Sequence, residues 1–322
     1  MDNNLDKFYS AIAKYSGWNS VVELSKKKFF PGHPQISLYE VISFLWKEMQ
    51  RDDVMQRAAA MSFSLFVSLF PTILVAFTLI PFLPIPAFQT TVMSTIKEVL
   101  PGNVYALVHT TIEDIVTRHR ADILSISLIL AIYYSTRGVL SMMNSFDKAL
   151  PTFRKRTHWQ KQAVSFKITG LLFLLFILSI GLIMGGEFLL QFIIKVLRIT
   201  RADVFVWLNI VRWLIIVFIY YFSISLIYFY GPARHKRWQF FSAGSTLATV
   251  LLILVTLLYT WVINQFGEYN KLYGSIGTLL VTQLWIYYQA LGLLIGFELN
   301  ASIEVNENKL LAVKEDDPPV TT

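Results

Sequence analysis

Six long apolar stretches constrain this chain more than anything else in it. They run at about 58–83, 122–145, 164–190, 204–230, 240–264 and 274–300. A helix needs about 20 mostly apolar residues to cross the hydrocarbon core of a bilayer, and each stretch reaches that length. In hydrocarbon every backbone N–H and C=O must find its partner inside the protein, so such stretches are expected to be helical. The expected fold class is therefore all-α, a polytopic membrane bundle of six transmembrane helices. Charged residues form only 15% of the chain, whereas a water-soluble fold carries about 25%. No cysteine is present, which excludes a disulfide framework, a thiolate zinc site and an iron–sulfur centre.

Three regions follow from these spans: 1–57 before them, 58–300 containing them, and 301–322 after them. The first span begins after 57 polar and amphipathic residues and is expected to stay uncleaved rather than act as a secretory signal. Orientation is read from lysine and arginine, which favour cytoplasmic loops. With the N-terminus inside, the inner segments hold 18 of the 28 and the outer segments 7, while Arg137, Lys167 and Arg212 lie within spans. Both termini are thus expected to be cytoplasmic. Residues 38–57 place Leu38, Val41, Ile42, Leu45, Trp46 and Met49 on one face, the spacing of an amphipathic helix. Such a helix suits the membrane interface or the cytoplasmic ends of the bundle. The outer segment 84–121 has the same character and is expected to form two short helices separated at Pro101-Gly102. The tail 301–322 ends in a charged, proline-bearing sequence and is expected to be disordered.

Several local sequences recur in family order. Arg57 precedes AAAMSFSLFVSLFP, and the second span closes on Tyr134-Ser135-Thr136-Arg137-Gly138 followed by Met143-Asn144 and a basic stretch to Lys161. Tyr228-Phe229-Tyr230-Gly231-Pro232 leads into a basic turn and Trp238. Tyr273-Gly274-Ser275-Ile276-Gly277, Leu284-Trp285-Ile286-Tyr287 and Gly296-Phe297-Glu298-Leu299-Asn300-Ala301 complete the set. Taken together, over residues 45–303, the chain resembles the YihY/virulence factor BrkB family. It departs in carrying Tyr where the family usually has Trp early in the second-span motif. The resemblance implies a multi-pass protein of the bacterial inner membrane. Some members were formerly labelled ribonuclease BN, others carried a serum-resistance label, and lipid or solute transport has been suggested for the group.

Polar groups inside spans are costly and are the first candidates for function. Arg137 lies about 8 residues from the cytoplasmic end of its span, roughly 12 Å at helical rise. Its charge cannot be removed, so a carboxylate, backbone carbonyls, water or a lipid phosphate is expected to face it. Glu298, near the same end of the sixth span, is the candidate carboxylate, with Asn144 and Asn300 beside it as polar candidates. The expectation is an inward-facing cleft between the second, first and sixth spans, in which Arg137 meets Glu298 at rest and an anion in use. A structural pair, or Arg137 reaching alone to the interface, is the plainer account.

Glu187 and Arg212 are expected to pin the third and fourth spans together. Gly181 and Gly185, like Gly292 and Gly296, are spaced for close helix packing. Pro71 removes a backbone donor within the first span and is expected to kink it. His109 and Glu113 share a helical face, for which a solvated amphipathic helix is the ordinary reading; no metal or cofactor is expected. There is no HExxH, P-loop, GxSxG or dinucleotide fingerprint. The basic stretch to Lys161 is what topology alone demands, so no nucleic-acid partner is expected. The expected partners are the bilayer and anionic lipid headgroups. The function favoured is transport or handling of a lipid or anionic solute, with a non-transporting scaffold or regulatory protein as the alternative and no enzymatic activity.

Overall fold

The computed structural model describes residues 29–30, 33–37, 39, 43, 53–82, 89–90, 93–94, 102–118, 121–147, 152–197, 201–235, 237–265 and 270–316. At 29–30, 33–37, 102–108, 180–197, 201–209, 212, 264–265, 270–276, 278 and 309–316 only the backbone is described. A two-stranded antiparallel ribbon, β1 (Phe29–Phe30) and β2 (His33–Ser37), precedes the helical body. Seven helices are delimited among the described residues: α1 (Val54–Leu79), α2 (Gly102–Thr117), α3 (Ala121–Ser145), α4 (His158–Leu197), α5 (Arg201–Tyr230), α6 (Ala243–Gln265) and α7 (Asn270–Asp316). Six of them carry apolar segments long enough to cross a membrane: Val54–Phe82, Ala121–Ser145, His158–Ser179, Trp213–Tyr230, Ala243–Ile263 and Leu279–Asn308.

Local chemistry explains several helix starts. Asp53 turns the chain into α1 at φ 35°, a left-handed conformation that aspartate tolerates better than most residues. Thr157 and Gln160 form a reciprocal capping box at the start of α4, with the Thr157 N–H donating to Gln160 Oε1 at 3.1 Å. That box starts the helix at His158, six residues ahead of the apolar stretch. Ser242 and Ser245 cap α6 in the same style. Helix α1 runs unbroken through Pro71. The Ser68 and Thr72 hydroxyls there donate to the carbonyls of Leu65 and Ser68, at 2.6 and 2.7 Å.

The spanning helices form a ring. Each packs on two neighbours, in the order α1, α3, α4, α5, α6, α7 and back to α1. Neighbours alternate in direction, so α1, α4 and α6 begin at one end, called here the proximal end. The core lies mainly toward it: Met61, Met143, Ile168, Tyr228, Leu294 and Phe297 are all buried. Phe297 stacks on Phe146 at 4.8 Å, and the rings of Phe153 and Trp238 meet it edge-on. Large apolar side chains such as Phe63, Phe173, Trp213 and Leu257 point outward instead. Lipid is the medium in which that surface is stable.

Two expectations are corrected. Residues 301–316 are not a disordered tail, because α7 continues to Asp316 with Ala301, Ser302 and Ile303 buried. The seam they bury holds them helical, and 317–322 lie outside the described residues. The ribbon is a second departure, since the sequence pattern prepared for no strands; β2 packs on α7. Of the segment 38–52, only Tyr39 and Ser43 are described, both helical. In the 84–121 segment α2 is the expected helix after Pro101-Gly102. Its expected companion falls largely outside the described residues.

Candidate functional site

Charged and polar side chains at the proximal end divide into a buried set that ties the ring together and an exposed set on α3. In the buried set, Arg57 sits on the inward face of α1 between Val54 and Met61. Its Nε donates to the Ser145 carbonyl at 2.9 Å, capping α3, and its Nη2 reaches Glu298 Oε1 at 3.2 Å. Glu298 has no exposed surface, and the Arg57 side chain is 20% exposed. One guanidinium therefore binds the first, second and last spans together.

A second pair lies two turns further along α7. Arg234, from the α5–α6 connection, pairs with Glu304, which also accepts from Trp238 Nε1 at 3.2 Å. The guanidinium stands 4.4 Å from the Trp238 ring centre. Burial lowers the pKa of Arg234 to about 10, which leaves it fully charged near neutrality. The α3–α4 and α5–α6 connections are stitched together by the Arg154 N–H to Ala233 carbonyl bond at 2.8 Å and the His235 N–H to Thr152 carbonyl bond at 3.2 Å. Arg156 closes the C-terminus of α5 by donating to the carbonyls of Tyr230, Gly231 and Pro232, at 3.0, 2.6 and 3.1 Å. Burial is the main cause of its lowered pKa, and Arg154 nearby adds to it.

The expected meeting of Arg137 and Glu298 is corrected. Glu298 takes Arg57, the residue immediately before the first span's apolar run, because Arg57 shares the inward face of α1 while Arg137 faces outward from α3. Arg137 is exposed, with its guanidinium 5.7 Å from the Tyr133 ring centre. Asn144 is also exposed, and its Oδ1 accepts from Lys161 at 2.9 Å. Asn300 belongs to the buried frame: its Oδ1 accepts the Gly244 N–H at 2.8 Å and its Nδ2 donates to Ser242 Oγ at 2.8 Å, fixing the start of α6 against α7. Gly292 and Gly296 face α6; a Cβ at Gly296 would stand 2.7 Å from that of Ala248. Glu187, Arg212, Gly181 and Gly185 fall where side chains lie outside the described residues. Lys167, a further cation within a spanning helix, sits 4.0 Å over the Tyr230 ring. Among the described residues there is no group of three or more metal-ligating side chains.

Arg57, Arg156, Arg234 and Glu304 were not among the site residues expected from the sequence. The one available signal was Arg57, which falls between Val54, Ala58 and Met61 at helical spacing and so shares their face.

A ring of six membrane-length helices closed by buried ion pairs defines an integral membrane helix bundle. The sequence profile of the virulence factor BrkB family matches residues 45–319, and the chain belongs to that family. It is 22% identical to a ribonuclease-like protein, YfkH, of Bacillus subtilis, over 76% of this chain and 88% of the relative. It is 23% identical to a UPF0761 membrane protein of Haemophilus influenzae, over 84% of this chain and 97% of the relative. A UPF0761 membrane protein of Xanthomonas campestris is 22% identical over 81% of this chain, which spans 60% of that longer relative. No solved structure matches the chain.

Proposed function

We propose that this protein handles or translocates an anionic lipid, or another anionic amphiphile, in the inner membrane of a bacterium. The observation that carries the reading is Arg137: an exposed guanidinium within a spanning segment, with no carboxylate partner among the described residues. An arginine at such depth costs ~2.5–3.5 kcal/mol on insertion scales, and a lipid phosphate is the anion a bilayer supplies to offset it. A central aqueous route for a free anionic solute has less support, because Arg137 faces away from the ring's interior.

Reconstitution tests this. Proteoliposomes containing a fluorescent anionic phospholipid should show translocation above protein-free vesicles. Arg137→Ala should bring the rate to background, and Arg137→Lys should leave it impaired because the planar fork is lost. Parent-like rates in both variants sink the reading.

A scaffold is the second reading, and the ion pairs on α7 favour it, since they fix the proximal end rigidly. It requires Arg137→Ala to be silent in every assay. The ribonuclease-like name of the Bacillus relative raises nucleic acid as a partner. The basic residues here are largely occupied: Arg156 caps α5, Arg234 holds Glu304, Arg237 lies over Phe229 and Tyr230, and Lys161 holds Asp147. We favour the lipid.

A further inference from the structure

The outward sector of α3 changes character along its length. Between Asp122 and Ser125 at its distal start and Tyr133, the exposed positions are Ile126, Leu128, Ile129, Leu130 and Ile132, the side chains a hydrocarbon-facing helix requires. From Tyr133 toward the proximal end the same sector carries Tyr133, Arg137, Ser141 and Asn144, at intervals of four, four and three residues. Those intervals keep them on one helical face. The strip is about 17 Å long at helical rise.

Both flanking helices contribute to it. On the α1 side the Ser141 hydroxyl donates to the Ala60 carbonyl at 3.4 Å, and Gly138 lets α1 approach, with the backbone of Ser64 and Leu65 under 4 Å from where a Cβ would stand. On the α4 side Lys161 bridges Asn144 and Asp147. Arg137 reaching alone for the interface explains one residue of the strip. It does not explain why every outward position from 133 to 144 is polar or bears a hydroxyl.

Resting on the lipid-handling reading, the geometry points to this strip as a lateral binding site for the phosphodiester headgroup of an anionic phospholipid. The acyl chains stay in the bilayer beside Ile126 and Ile129. The headgroup enters between α1 and α4 at the proximal end, passing Lys161 and Asn144. Its phosphate oxygens then accept from the Arg137 fork, under the Tyr133 ring. Charge complementarity selects this occupant over a second copy of the chain. A two-fold contact along the strip sets Arg137 against its own equivalent, and the one carboxylate at its mouth, Asp147, is held by Lys161. Like charges so placed repel.

The test uses the full chain in phosphatidylcholine nanodiscs doped with phosphatidylglycerol that carries a photoreactive headgroup. Illumination should label α3 between Tyr133 and Asn144. Arg137→Gln should cut labelling about tenfold or more, as loss of a charge-assisted hydrogen bond predicts. Arg137→Lys should retain part of it. Leu174→Gln, an equally exposed change on the outer face of α4, should leave it unchanged. Because Arg137 is exposed, its variants should melt with the parent. Label elsewhere, or label indifferent to Arg137→Gln, overturns the proposal. Translocation in the same preparation separates the two claims. A labelled strip without translocation keeps the site and removes the transport reading; translocation with an unlabelled strip does the reverse.

Discussion

Arg57 and Glu298 are the residues on which the proximal end depends, and their pairing has a definite energetic signature. Removing one member of a buried pair leaves the other charge without compensation, at about 3–5 kcal/mol. Glu298→Ala and Arg57→Ala are therefore each expected to lower the unfolding midpoint in detergent markedly, read from tryptophan fluorescence. Replacing both with Met should recover most of the loss, because a packed apolar pair is often as stable as a buried ion pair. A double variant no more stable than the singles refutes this account. The acid was legible in the sequence, since a carboxylate in a span demands a partner. Its partner was misjudged because depth alone was matched, and the face of the helix decided otherwise. Arg137 and Arg57 both lie near the proximal end, but only Arg57 shares a face with Ala58 and Met61.

At the scale of elements, the contact between α6 and α7 depends on small residues. Gly296 packs against Ala248 and the Tyr228 hydroxyl, and Gly292 against Leu252. Gly296→Val forces overlap with neighbours that are mostly backbone or Cβ atoms and cannot move aside. Overpacking of this kind typically costs 1–3 kcal/mol. The expected result is a lower melting temperature and reduced accumulation in the membrane. Gly170→Ala is the control, because nothing lies within 4 Å of the added Cβ. Equal behaviour of the two variants contradicts the packing account. The spans themselves could be read from apolar runs, since hydrocarbon thickness sets their length. Their proximal extensions could not: the turns of α4 before residue 164 and of α7 beyond residue 300 are held by a capping box, an ion pair and a buried seam. Hydropathy sees none of these.

For the whole molecule, the open question is which way the ring faces. The excess of lysine and arginine predicts the proximal end in the cytoplasm and α2 outside. A reporter active only in the cytoplasm should work when fused at Lys155 and stay silent when fused at Thr110. The opposite pattern inverts the molecule, and with it the leaflet from which a headgroup would reach Arg137. The ring is legible from sequence only as six antiparallel passes. Its closure, α7 returning to α1, depends on side chains 241 residues apart.

That closure bears on how the protein is made. Translation delivers Arg57 first and Glu298 and Glu304 last, so a nascent chain carries two buried-site cations whose partners do not yet exist. Until the final helix inserts, the faces of α1 and α6 that pack on it lack their partner. Closure of the ring therefore waits on the last helix, which supplies both carboxylates.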